Sequence, residues 1–217
     1  TGDCIEFRHM EGFELTDLGF AVCAATFAVL AVALRPGTVG TSAPRIPLRL
    51  AALATVVWTL VAWLAHRSGS FASTWAQLLS IALIGIWLWQ LENLARWQGQ
   101  PRWLGTLLRW SGLAATVVFG IWMVLATRSD TLSAPSLAAL SVAGIALGAL
   151  GLITIEQVYR NSREEAEVAM RWLGLGVGGL LVTELVVFAQ TMLLGEVPMV
   201  AWLMRGLIFA LCAFAMF

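Results

Sequence analysis

Residues 168–194 read VAMRWLGLGVGGLLVTELVVFAQTMLL. An α-helix needs roughly 20 apolar residues to cross the hydrocarbon core of a bilayer, with about 17–25 tolerated, whereas a membrane strand needs only about 9–11. The run therefore reads as a transmembrane helix, with Arg171 near its start and Glu184 inside it. Working outward, six further runs of the same kind lie near 15–34, 48–65, 71–91, 104–126, 134–157 and 199–217. Short connections carrying turn chemistry separate them, among them Arg35-Pro36-Gly37, Arg67-Ser68-Gly69, Gly99-Gln100-Pro101 and Gly195-Glu196-Val197-Pro198. The expected fold is an all-α integral membrane bundle of seven transmembrane helices, or six if the last run is truncated or re-entrant.

Composition agrees with that reading. Hydrophobic residues make up 59% of the 217 and charged ones 12%, with a mean hydropathy of +0.84. Soluble domains carry about 45–50% apolar and about 25% charged residues, so this chain cannot build a water-facing surface. All 13 basic residues are Arg. The lack of Lys excludes a Schiff-base cofactor and a Walker-type phosphate site. A net charge of zero offers no field to hold nucleic acid. Cys4, Cys23 and Cys212 are too scattered for a disulfide framework or a zinc site. No metal site and no cofactor is expected in this chain.

Residues 1–9 are polar, and His9-Met10 reads as a junction between an appended leader and a native start, leaving residues 10–217 as one membrane domain. Orientation follows from arginine. Arg35, Arg45, Arg49, Arg96, Arg102, Arg109, Arg160, Arg163 and Arg171 fall on one side; Arg67 and Arg128, with Arg8 of the leader, fall on the other. The positive-inside rule then places the amino terminus outside and the carboxyl terminus in the cytoplasm. Trp87, Trp89, Trp97, Trp103, Trp110 and Trp172 are expected at the inner boundary, and Trp58, Trp63, Trp75, Trp122 and Trp202 nearer the outer one. His66 is expected in an outer loop.

Two charges fall within the last hairpin. Glu184 and Arg205 lie at comparable depths on helices joined by a short turn. An isolated intramembrane charge costs several kcal/mol (on the order of 3), so an ion pair between them is expected, as a structural clamp or as a responsive switch. Gly144–Gly148 and Gly174–Gly178 have the small-xxx-small spacing that lets helix backbones approach, within the bundle or across a dimer face. Ser162 and Glu165 form a capping-box pattern ahead of the sixth span, and Glu167 and Arg171 stand at i,i+4. No HExxH motif and no carboxylate–histidine set occurs, so the chain shows no catalytic constellation of its own.

Residues 155–217 carry a more specific pattern. Glu156-Gln157-Val158-Tyr159-Arg160-Asn161, then Arg171-Trp172, the glycine run 174–179 and Arg205-Gly206 resemble the membrane region of PrsK-type sensor histidine kinases of the PEP-CTERM/exosortase exopolysaccharide system. The resemblance implies the amino-terminal membrane sensor of a two-component kinase in the inner membrane of a Gram-negative bacterium. It further implies cytoplasmic GAF-like and kinase domains outside this chain, with ATP and Mg bound there. The partners it implies are the lipid bilayer, those kinase domains, a response regulator and a second copy in a homodimer. Two other classes fit the residues: a small transporter or channel, and an assembly subunit of a larger membrane complex.

Overall fold

The computed structural model describes residues 3–34, 45–68, 74–97, 134–160, 164–196 and 199–216, with isolated positions 110, 117 and 121. Among the described residues the chain is all-α. Its helices are α1 Asp3–Ala33, α2 Arg45–Arg67, α3 Thr74–Trp97, α4 Ala134–Arg160, α5 Glu164–Leu194 and α6 Met199–Ala215. Four stretches are long and apolar enough to cross a membrane: Ile46–Arg67, Leu78–Arg96, Ala138–Arg160 and Met170–Leu194. Two shorter apolar stretches, Asp17–Ala33 and Val200–Ala215, accompany them. By helix composition this is a multi-pass membrane protein. The expected span at 104–126 lies outside the described residues except at 110, 117 and 121, each helical and exposed.

The helices run further than the apolar stretches alone. α3 continues to Trp97 rather than stopping at 91, because Glu92 pairs with Arg96 one turn on and so offsets its own burial. α1 begins at Asp3, so the expected leader and first span form one continuous helix. Ser162 of the capping-box pattern, and the side chains of Glu165 and Glu167, lie outside the described residues.

Around the bundle α1 packs on α2, α2 on α3, α3 on α4, α4 on α5 and α5 on α6, and α6 closes the ring on α1. Side-chain polarity is inverted relative to a soluble protein. Leu18, Val29, Val57, Leu60, Leu193 and Leu211 point outward, while Thr55, Thr59, Ser80, Glu184 and Arg205 are buried. Water cannot satisfy groups held inside such a bundle, so each needs an internal partner. The buried threonines find one on their own helix: Thr55 donates to Ala51 O at 2.9 Å, Thr59 to Thr55 O at 2.7 Å and Thr191 to Val187 O at 2.8 Å.

Glycine sets the closest crossings. A Cβ on Gly144 would lie 2.5 Å from the Phe188 ring and one on Gly151 2.5 Å from Leu181, so α4 and α5 approach within this chain. Gly148 sits over Leu185 with ordinary clearance. In the 174–179 run the expected positions are the looser ones: Gly174 and Gly178 face only Ile155, at 3.3 and 3.8 Å. Gly176 and Gly179 instead meet α6, with a Cβ 2.7 Å from Cys212 O and 2.5 Å from Cys212 Sγ respectively. The stripe that packs tightly is thus offset from the small-xxx-small pair read from spacing, because α6 rather than α4 takes the closest approach. At the α1–α6 crossing a Cβ on Gly206 would lie 2.8 Å from the Phe20 backbone nitrogen.

Candidate functional site: a buried charge network

α5 ends in a left-handed glycine. Gly195 has φ +71° and its N–H returns to Thr191 O at 3.0 Å, closing the last turn and reversing the chain toward α6. The short connection and the close approach at Gly176 and Gly179 bring Glu184 and Arg205 to one level. Arg205 Nη2 donates to Glu184 Oε2 at 2.8 Å, with both side chains essentially without solvent exposure. The sequence expectation was of two partners; the structure adds more. Arg205 Nη1 donates to Ser80 Oγ on α3 at 3.2 Å, and Trp58 Nε1 on α2 donates to the same oxygen at 3.1 Å. The guanidinium also lies over the Trp202 ring at 4.7 Å and the Trp58 ring at 5.7 Å.

One arginine thereby touches four helices: its own, α5 through an ion pair, α3 through a hydroxyl and α2 through an indole face. Desolvated cation–π contacts contribute about 2 kcal/mol, and hydrogen bonds to a charged group about 1.5–3 kcal/mol. Together they offset part of the several-kcal/mol desolvation of each ion (on the order of 3 or more). Within the ion pair itself, Glu184 Oε1 and Arg205 Nε have no hydrogen-bond partner among the described residues.

A second polar layer lies beside the first. Trp87 Nε1 donates to Thr55 Oγ1 at 3.2 Å, Thr59 Oγ1 and Cys23 Sγ are 3.3 Å apart, and Trp87 meets Phe27 edge-on at 6.4 Å. Trp58, Trp87 and Trp202 are therefore core residues and not interfacial anchors as their positions suggested: the N–H groups of Trp58 and Trp87 donate to buried hydroxyls, and the Trp202 ring lies under the Arg205 guanidinium. Trp89, Trp110 and Trp172 are exposed. His66 is likewise not in a loop but buried in the last turn of α2.

At the α2 end marked by Arg67 a third cluster forms. Asp17 Oδ2 accepts from Arg67 Nη2 and Oδ1 from Trp63 Nε1, each at 2.7 Å, while Arg67 lies 4.9 Å over the Trp63 ring. Of the motif residues at 156–171, Glu156 pairs with Arg160 at 2.7 Å along α4, and Arg171 Nη2 on α5 reaches across to Tyr159 Oη on α4 at 3.4 Å. Gln157 is half-buried, and Asn161 lies outside the described residues. The motif is thus a set of local pairs at one end of the α4–α5 hairpin, remote in sequence from the charge network.

Ser80 is not singled out by sequence, and Trp58 and Trp202 are expected only near the outer boundary, since a serine or a tryptophan in an apolar helix carries no signal of a buried charge network. Nothing in the network is a nucleophile poised against a base. Among the described residues there is no group of three or more His, Cys, Asp or Glu able to hold a metal. No protein-family model, no curated protein and no solved structure matches the chain.

Proposed function

We propose that this chain is the signal-input module of a membrane-bound sensor histidine kinase, seven helices with the amino terminus outside and the carboxyl terminus in the cytoplasm of a bacterial inner membrane. The observation that carries the reading is the convergence of four helices on Arg205. A displacement of α2, α3 or α5 must be answered at α6, because the guanidinium is held by all of them. The described interior is filled: Trp58, Trp87, Trp202 and Phe209 are each at most 3% exposed. Such a centre suits relay of a mechanical or intramembrane stimulus better than passage of a solute. The resemblance at residues 155–217 supplies the kind of output, a kinase acting as a homodimer on a response regulator.

A transport reading has one observation in its favour, the buried charge pair, and predicts substrate-dependent flux in proteoliposomes. The decisive experiment reads the source open reading frame past Phe217 and assays its whole product in native membranes with labelled ATP. Phosphate incorporated into a histidine, at a rate altered by Glu184→Gln, is the expected result. A whole product without an ATP-binding region, or one that incorporates no phosphate, overturns the proposal.

A further inference from the structure

α1 and α2 enclose a groove that the charge network does not use. It has a volume of about 550 Å³, within the range of about 300–1,000 Å³ usual for ligand sites. Its trough is apolar, formed by Leu18, Phe20, Ala21, Ala24 and Leu60. The small side chains of Ala21 and Ala24 hollow the face of α1, and Leu18 and Leu60 stand exposed at its edges. From Asp17 to Ala24 the trough runs along two helical turns, about 10 Å at 1.5 Å per residue.

Its other end is charged with both signs. The Asp17 carboxylate and Arg67 guanidinium meet there at 2.7 Å beside Trp63, with side chains 20% and 52% exposed. An ionised carboxylate has about four acceptor sites, and the two described bonds to Asp17 use half of them. A groove that is apolar in its depth, open toward neighbouring lipid and zwitterionic at its mouth selects an amphiphile whose head carries an ammonium and a phosphate.

We propose that the α1–α2 groove binds one phospholipid of the ethanolamine type. An acyl chain lies along Ala21 and Ala24, the primary ammonium donates to Asp17, and the phosphate accepts from Arg67. Choline lacks the N–H needed to donate to Asp17, and a glycerol headgroup lacks the cation, so both are disfavoured.

The test is native mass spectrometry of the whole chain released from nanodiscs of matched acyl composition containing phosphatidylethanolamine, phosphatidylcholine or phosphatidylglycerol. One ethanolamine lipid per chain is expected to survive activation that strips the others, with retention of choline and glycerol lipids lower by roughly tenfold, as loss of one hydrogen bond to a charge implies. Ala21→Trp fills the trough from an exposed position and is expected to abolish the adduct without changing the melting temperature. Asp17→Asn is expected to erase the preference for ethanolamine over choline. Equal retention of all three lipids, or an adduct that survives Ala21→Trp, overturns the site. A co-purifying amphiphile without an amine that Ala21→Trp displaces overturns the headgroup assignment.

Discussion

Arg205 is a fully buried guanidinium whose carboxylate partner, Glu184, is buried with it. Removing one charge of such a pair leaves the other uncompensated, at about 3–5 kcal/mol, whereas replacing both with apolar residues of similar volume is often neutral. Glu184→Gln alone is therefore expected to lower unfolding stability in mixed micelles by about that amount, and the double variant Glu184→Leu with Arg205→Met to recover most of it. A double variant no more stable than Glu184→Gln would show that the pair is not the main interaction of either residue. Trp58→Phe keeps an aromatic face but removes the N–H given to Ser80 and part of a buried ring, with an expected loss of about 1 kcal/mol for the bond and a further cost for the space left, by the same measurement. The pair itself was legible in the sequence, because two charges in apolar runs are outliers and a short hairpin equalises their depth. Ser80 and Trp58 were not, because their roles depend on the rotation of α2 and α3 about their axes, which hydropathy does not encode.

Helix positions were legible to within a few residues in apolar stretches and less so at their ends. Hydropathy reports the slab of hydrocarbon, while the backbone keeps its hydrogen bonds beyond it; hence α2 starts at Arg45 and α5 at Glu164, each ahead of the apolar run. Glycine spacing showed that close packing occurs but not which glycines carry it. Gly206→Ala must force α1 and α6 apart, since the backbone at Phe20 cannot rotate away, and is expected to destabilise by about 1–3 kcal/mol. Gly178→Ala meets only Ile155 at 3.8 Å and relieves the intrinsic penalty of glycine within a helix. It is expected to be neutral or stabilising by up to about 1 kcal/mol in the same assay. Comparable losses from the two variants would contradict this assignment of the crossings.

At the scale of the whole bundle, the closed ring and the outward apolar faces together describe a membrane protein, and that much follows from composition. Orientation rests on arginine placement alone. In a background without native cysteines, Glu196→Cys is expected to react with a membrane-impermeant maleimide on intact cells. Tyr159→Cys is expected to react only after permeabilisation. The reverse pattern would invert the proposed topology while leaving the helix packing untouched. The resemblance at 155–217 rests on residues that make local pairs such as Glu156–Arg160 and Tyr159–Arg171. Those pairs explain why the positions tolerate charge at a helix end. They carry no trace of the charge network, which depends on side chains that only the folded bundle brings together.

The hairpin that joins Glu184 to Arg205 also bears on biogenesis. On insertion scales a lone charged residue at mid-helix opposes partition into lipid by about 2.5–3.5 kcal/mol. Only residues 195–198 separate α5 from α6, so the two helices can leave the translocon as a neutralised unit before the rest of the bundle has closed around them. A nascent chain ended after α5 is therefore expected to retain that helix in the bilayer less efficiently than one extended through Arg205. Extending through an Arg205→Glu chain should not restore it.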